Sequence, residues 1–93
     1  MNISLDYDET YSADPLTWRR VVRTLMDAGH NVRVVAMRHP HEISTICPLL
    51  RSMVEVIPTG RKAKRPFCEA LGIQIDIWID DSPHWVDNDI PHS

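Results

Sequence analysis

Four short apolar segments alternate with helical segments along the chain, and this order constrains the fold more than any other sequence feature. The predicted strands cover residues 2–7, 32–37, 53–57 and 73–79. The last strand is the clearest, because Ile73, Ile75, Ile77 and Ile79 alternate without a break. Strands joined by helices predict right-handed crossovers and a parallel sheet. We therefore expect an α/β fold, a three-layer Rossmann-like parallel sheet of about four strands with flanking helices.

Helix signals between the strands support this order. Asp14 and Pro15 mark the start of the first helix, because Asp caps free backbone N–H groups and Pro suits the first helical turn. Pro48 lies inside the second helical pattern and is expected to kink that helix or cut it short. Pro66 opens a short third helix that continues through Leu71.

Length and composition set the broad class of the protein. With 93 residues, we expect one domain over residues 1–93, with an irregular tail at 82–93 that is rich in Pro, Asp and His. The net charge of −3 argues against a general nucleic-acid coat protein. The first residues do not form a basic stretch followed by an apolar one, and no apolar run approaches the ~20 residues of a membrane span. Together with only two cysteines, these features predict a cytoplasmic protein with reduced thiols, without a signal peptide or membrane association.

Charged residues concentrate at the predicted carboxyl ends of the strands, where open parallel sheets bind their ligands. They are Asp6 and Asp8 after the first strand, Arg38 after the second, Arg61, Lys62, Lys64 and Arg65 after the third, and Asp80 and Asp81 after the fourth. Four converging carboxylates would repel one another, and a hard divalent cation such as Mg²⁺ relieves that repulsion. The basic loop would hold phosphate charge. One carboxylate can act as a nucleophile and a second as general acid and base.

Two segments resemble motifs of the haloacid dehalogenase (HAD) superfamily. Residues 3–10, ISLDYDET, resemble its first motif, an apolar strand followed by Asp-x-Asp-x-Thr. Residues 77–82, IWIDDS, resemble its fourth motif, an apolar strand that ends in paired acids. Lys64 resembles the lysine of the third motif, and Lys62 is the alternative for that position. The resemblance covers nearly the whole chain in motif order.

The resemblance implies a role for each matching residue. Asp6 would be the nucleophile and a metal ligand, and Asp8 the acid and base that also gives its backbone carbonyl to the metal. Asp81 matches the metal-binding acid best, with Asp80 beside it. Lys64 would stabilise the phosphoaspartate. These roles imply a Mg²⁺-dependent phosphatase without a cap domain that hydrolyses a phosphomonoester.

Further residues are predicted to bind the substrate. We expect Thr10, Arg38, Arg61 and Lys62 to contact its phosphate, although Thr10 also suits a turn cap and the basic run also suits a solvated loop. An open site suits a phosphorylated small molecule, a nucleotide or a nucleic-acid end. A short sheet with an exposed third strand also allows a homodimer.

One departure from the HAD pattern keeps a second function open. The second motif has a Ser or Thr at the end of the second strand, where this chain has Ala36 and Met37. Arg38 is a substitute for that hydroxyl. Without a substitute, the chain would be a catalytically inactive HAD-like module that binds metal, phosphate or a protein. A response-regulator receiver domain is disfavoured, because its acceptor Asp would follow the third strand, where residues 57–59 are Ile-Pro-Thr.

Overall fold

Four parallel strands form the centre of the protein, as the alternation of strands and helices predicts. The structure is a computed structural model and describes residues 1–91. Its strands are β1 (Asn2–Leu5), β2 (Asn31–Ala36), β3 (Glu55–Pro58) and β4 (Ile77–Ile79). Its α-helices are α1 (Pro15–Asp27), α2 (Pro48–Met53), α3 (Lys64–Ala70) and α4 (His84–Asp87), and 3₁₀ turns cover Tyr11–Ala13 and Pro40–Thr45.

The strand order places β1 inside the sheet. The order is β3-β2-β1-β4, and every neighbouring pair is parallel. Leu5, the last residue of β1, pairs with Val34 of β2 and with Ile79, the last residue of β4. The carboxyl ends of β1 and β4 are therefore level, and the residues that follow them emerge side by side.

Both faces of the sheet are covered, which explains the almost continuous apolar run of β2. Val34 and Ala36 belong to a core cluster on one face, whereas Val35 belongs to a second cluster on the other face. The first cluster includes Val22 of α1 and Leu50 of α2. The second includes Cys68 of α3 together with Ile57 and Ile75. The predicted three layers of an α/β fold are confirmed.

The predicted start of α1 is confirmed. The Asp14 side chain accepts a hydrogen bond of 3.3 Å from the backbone N–H of Thr17, and Pro15 occupies the first turn. Gly29 follows the helix with φ = 90°, a conformation that L side chains rarely adopt. Within residues 1–91, no helix has the length and apolar character needed to cross a membrane.

The predicted second helix is interrupted at Pro48, as expected. The segment divides into the 3₁₀ turn Pro40–Thr45 and α2, and Pro48 is the first residue of α2. Proline has no backbone N–H to donate, so it fits the first turn of a helix and not its interior. The proline therefore begins the α2 helix.

The fourth strand is shorter than its alternating pattern predicts. Only Ile77–Ile79 pairs with β1, while Ile75 is buried at 7 % exposure without belonging to the strand. The Asn2 side chain donates to the Gln74 carbonyl at 2.8 Å, and the Asn2 backbone N–H donates to the Asp76 carboxylate at 2.7 Å. The alternation before Ile77 thus reflects side-chain packing and not strand pairing.

The expectation of an irregular tail is wrong for residues 84–87, which form α4, whereas residues 82, 83 and 88–91 belong to no helix or strand. Val86 is buried at 3 % exposure, and α4 packs against α3. Asp87 pairs with Arg65 of α3 at 2.8 Å, and the Asp89 carboxylate accepts a 2.6 Å hydrogen bond from the backbone N–H of Ala63. These contacts stabilise a turn that the local sequence alone does not specify. Positions 92 and 93 of the predicted tail lie outside the described residues.

Two adjacent leucines of α2 provide a test of the core. Leu50 is fully buried, whereas Leu49 is 49 % exposed. We expect Leu50→Ala to lower the free energy of unfolding by about 2–5 kcal/mol, because the substitution leaves a cavity. The matched control Leu49→Ala should change it by less than about 1 kcal/mol. Urea unfolding followed by circular dichroism measures both, and equal losses would contradict this packing.

Candidate functional site

The parallel register brings the two acidic motifs together. Asp6 follows β1 and Asp80 follows β4, each one residue beyond the paired Leu5 and Ile79. The backbone N–H of Asp6 extends the ladder by donating to the Ile79 carbonyl at 2.9 Å. Side chains separated by more than seventy residues in sequence are thereby held at one edge of the sheet.

Lys64, the first residue of α3, connects the two strand ends. Its ammonium Nζ lies 2.8 Å from Asp6 Oδ1 and 2.6 Å from Asp80 Oδ2, and its side chain is 3 % exposed. A lysine is almost never this deeply buried unless it is paired. The lysine at the site is thus Lys64 and not Lys62, whose exposed ammonium lies 3.9 Å from Asp89.

Asp81 adds a third carboxylate to the site. One carboxylate oxygen from each of Asp6, Asp80 and Asp81 lies within 4.8 Å of the others. The Thr10 hydroxyl lies 3.1 Å from Asp81 Oδ1 and 3.4 Å from Asp6 Oδ2, so it links these two side chains. The second oxygen of Asp80 accepts a 2.9 Å hydrogen bond from the backbone N–H of Ser82.

Asp6 and Asp81 differ in their affinity for a proton. Burial raises the pKa of Asp6 to about 7, although attraction to Lys64 acts in the opposite direction. A hydrogen bond from Asp6, assisted by one from Thr10, holds the pKa of Asp81 below its usual range. Both shifts favour a proton on Asp6 over one on Asp81.

The donor set fits a hard divalent cation. Three carboxylates and one ammonium leave two negative charges uncompensated when all are ionised. Both oxygens of Asp80 already accept hydrogen bonds, from Lys64 and from Ser82. Among the described residues, Asp6 Oδ2, which has only the long 3.4 Å contact with Thr10, and the Asp81 carboxylate, whose Oδ2 has no such partner, are less engaged and better placed as metal ligands. The cluster could hold a metal ion, and its all-oxygen donor set suits a hard cation.

The Asp8 side chain lies outside the three-carboxylate cluster. Its Oδ1 is 2.6 Å from Nη2 of Arg38, and its Oδ2 is 3.4 Å from Nε of the same guanidinium. Arg38 is held in turn by the Tyr7 ring, whose centroid lies 5.3 Å away, and by the Thr45 hydroxyl. The metal contact expected of Asp8 is through its backbone carbonyl, and that stays a prediction.

A cleft of about 210 Å³ opens above the carboxylates. Its lining comprises Asp6, Asp8, Glu9, Met37, Lys64, Asp80, Asp81, Ser82, Trp85 and Ile90. Met37 lines the cleft at the end of β2, whereas Ala36 is buried at 1 % exposure. Of the two residues at the expected position of the second motif, only Met37 therefore faces the cleft.

Sequence reasoning missed the contribution of the C-terminal segment to this cleft. Trp85 and Ile90 form part of its wall, and Ser82 binds Asp80. The apolar pair Trp85 and Val86 within a polar stretch is the signal that could have indicated a packed turn there. This signal is weak, because a four-residue helix has little stability of its own and forms only with tertiary contacts.

The predicted phosphate-binding residues divide into three groups. Thr10 lies within the carboxylate cluster, as a bridge between two acids. Arg38 and Arg61 lie beside the cleft, in a recess of about 280 Å³. Lys62 lines neither the cleft nor this recess. Phosphate binding by each of these residues stays a prediction.

A larger groove lies elsewhere on the protein. Its volume is about 630 Å³, and it runs between α1 and α2 with Arg19, Arg20 and Arg23 along one side. It shares no lining residue with the cleft above the carboxylates. The convergent acids and the buried ammonium lie at the smaller cleft, which is therefore the candidate functional site.

Comparisons with models of known protein families, with curated proteins and with solved structures found no match. The function is therefore inferred from the chemistry of the site.

The buried ion cluster provides a test of the site's electrostatics. We expect Lys64→Met to lower the free energy of unfolding at neutral pH by about 3–5 kcal/mol, because it leaves Asp6 and Asp80 buried beside each other without their cation. Lys62→Met is the matched control, since Lys62 is exposed, and should change stability by less than about 0.5 kcal/mol. Urea unfolding in EDTA measures both, and equal effects would contradict the assignment of Lys64.

The raised pKa of Asp6 predicts a pH dependence of stability without metal. An acid with a higher pKa in the folded chain stabilises the fold below its ordinary pKa, and this contribution is lost as the pH rises through about 7. Asp6→Asn removes the titration. We expect the mutant to gain roughly 1–3 kcal/mol relative to the natural protein between about pH 4 and pH 8. Urea unfolding in EDTA at both pH values measures this difference, in which the groups common to both proteins cancel. A difference independent of pH would contradict the raised pKa.

Proposed function

We propose that this protein is a Mg²⁺-dependent phosphatase of the HAD type, and that it hydrolyses a phosphomonoester through an aspartyl-phosphate on Asp6. The observation that carries the proposal is the buried ammonium of Lys64 between Asp6 and Asp80, with Asp81 completing a group of three carboxylates. A nucleophilic carboxylate, a fixed cation and two further acids at one sheet edge suit phosphoryl transfer.

The lysine supports this function in a specific way. An incoming phosphoryl group adds negative charge beside Asp6, and Lys64 already lies 2.8 Å from that carboxylate. Because the ammonium is held from two sides, it is preorganised and does not have to move as charge develops. A divalent cation bound by Asp6 and Asp81 would supply further positive charge for the phosphate oxygens and keep the carboxylates ionised.

In the first half of the reaction, an oxygen of Asp6 attacks the phosphorus atom of the ester. The new bond joins Asp6 to phosphorus while the bond between phosphorus and the ester oxygen breaks. Asp8, which takes up a proton from solvent before the first turnover, donates that proton to the leaving oxygen, which departs as an alcohol. For this step the Asp8 side chain turns from Arg38 toward the cleft that it already lines.

In the second half, water hydrolyses the phosphoaspartate. The Asp8 carboxylate accepts a proton from the water as its oxygen attacks phosphorus, and the bond to Asp6 breaks. Inorganic phosphate leaves, Asp6 is again a carboxylate and Asp8 is again protonated. Each group thus returns to its starting form after one turnover.

An inactive binding module is the second candidate function, and two observations favour it. Met37 lines the cleft where the second HAD motif has a hydroxyl, and a thioether cannot donate a hydrogen bond to a phosphoryl group. The Asp8 carboxylate is also paired with Arg38, away from the carboxylate cluster. Such a module would bind a metal and a phosphorylated ligand, or a protein partner, without turnover.

Phosphate release distinguishes the two functions. We expect release from p-nitrophenyl phosphate and from a panel of small phosphomonoesters with Mg²⁺, and none with EDTA. Asp6→Asn should lower kcat by roughly 10³-fold or more, because it removes the nucleophile. The matched control is Asp27→Asn, which makes the same chemical change at an exposed position at the end of α1.

Each outcome bears on one of the two functions. Activity retained by Asp6→Asn would contradict the assigned nucleophile. Calorimetric Mg²⁺ binding without phosphate release from any ester would favour the inactive module. Equal loss in Asp6→Asn and Asp27→Asn would indicate damage to the fold, which circular dichroism of both variants would reveal.

A further inference from the structure

A second recess opens beside the cleft and shares part of its wall. Its volume is about 280 Å³, and it shares Asp8, Met37 and Ile90 with the cleft. Its other lining residues are Arg38, Glu42 and Arg61. A ligand whose reacting phosphate lies on the carboxylate cluster therefore has two guanidinium groups within the adjoining space.

Arg61 presents a guanidinium that no carboxylate of the described residues contacts directly. Within residues 1–91, it forms no salt bridge. The nearby Glu42 attracts it from a longer distance, and the Glu42 carboxylate accepts a 2.9 Å hydrogen bond from the backbone N–H of His39. The Arg61 backbone is fixed by its carbonyl, which accepts a 2.9 Å hydrogen bond from Ile90, and by a φ of 68°. The loop thus holds an unpaired guanidinium at the recess.

Arg38 holds an anion already, and that anion belongs to the protein. Nε and Nη2 of Arg38 bind the two oxygens of the Asp8 carboxylate at 3.4 and 2.6 Å. The same pair of guanidinium nitrogens can bind two oxygens of a phosphate in the same way. A phosphate in the recess would therefore compete with Asp8 for Arg38.

We propose that this recess binds a second phosphate group of the substrate, and that this phosphate displaces Asp8 from Arg38. The inference rests on the proposed phosphatase function and specifies its substrate as a phosphomonoester that carries a second phosphate. Once released, the Asp8 carboxylate turns into the cleft that it borders, takes up a proton from solvent and donates it to the leaving oxygen. The Arg38–Asp8 pair thereby ties proton transfer to occupation of the recess.

Bisphosphates occur on both nucleosides and sugars, and the recess chemistry is common to the two. The half-buried Trp85 in the cleft wall offers a nucleoside an additional apolar contact. The test therefore uses two matched pairs of substrates. One pair is adenosine 3′,5′-bisphosphate and adenosine 5′-monophosphate, and the other is glucose 1,6-bisphosphate and glucose 6-phosphate.

Steady-state kinetics with Mg²⁺ measures the preference for the second phosphate. We expect kcat/KM to be about tenfold or more higher for a bisphosphate than for its monophosphate, with part of the gain in kcat. Arg61→Gln should bring this ratio close to one. Arg23→Gln, which removes an exposed guanidinium on α1, is the matched control and should retain the ratio.

The outcomes separate the two parts of the proposal. Equal kcat/KM within both pairs, or an equal change of the ratio in Arg61→Gln and Arg23→Gln, would overturn the second phosphate site. A gain confined to KM would overturn the displacement of Asp8. A preference in both pairs supports the recess alone, and a preference only in the nucleoside pair supports the recess with the base as an added contact.

Binding measurements keep the inference separate from the proposed function. If the protein releases no phosphate from any ester, calorimetry with Mg²⁺ compares adenosine 3′,5′-bisphosphate with the monophosphate. About tenfold tighter binding of the bisphosphate that is lost in Arg61→Gln supports the recess without turnover. Equal binding of the two nucleotides overturns it.

Discussion

The buried ammonium of Lys64 is the interaction on which the rest of the site depends. Two carboxylates, on Asp6 and Asp80, lie at the ends of adjacent strands, where water cannot fully screen their repulsion. A cation between them stabilises that arrangement, but only if the cation is buried at the same place. Lys64 is the first residue of α3, and the start of this helix places the ammonium where β1 and β4 end.

The site is accordingly a property of the whole sheet and not of one loop. The level ends of β1 and β4 fix the spacing of the two acidic motifs, and the crossover that carries α3 fixes the cation. Residues supplied by rigid strand ends keep their geometry better than residues on long loops. Asp8, the proposed acid and base, lies instead at the rim of the cleft, where it is exposed and paired with Arg38.

Residue patterns predicted the parallel sheet and the meeting of the acids, because both follow from apolar periodicity and from where strands end. They did not predict the orientation of Asp8, since a choice between Arg38 and the carboxylate cluster depends on side-chain rotamers and not on sequence spacing. The length of β4 was also misjudged. Ile75 alternates correctly for a strand, yet Asn2 engages the backbone around it. Helix α4 escaped prediction because tertiary contacts stabilise it.

Residues 87–90 bind the residues on either side of Lys64. Asp89 binds the backbone of Ala63, Ile90 binds that of Arg61, and Asp87 pairs with Arg65, so three attachments flank Lys64 on both sides. Detachment of residues 87–90 would therefore free the start of α3 as well. Residues 87–90 and the ammonium are then expected to form one cooperative unit, and the rate of its local unfolding sets how long the assembled charge cluster persists.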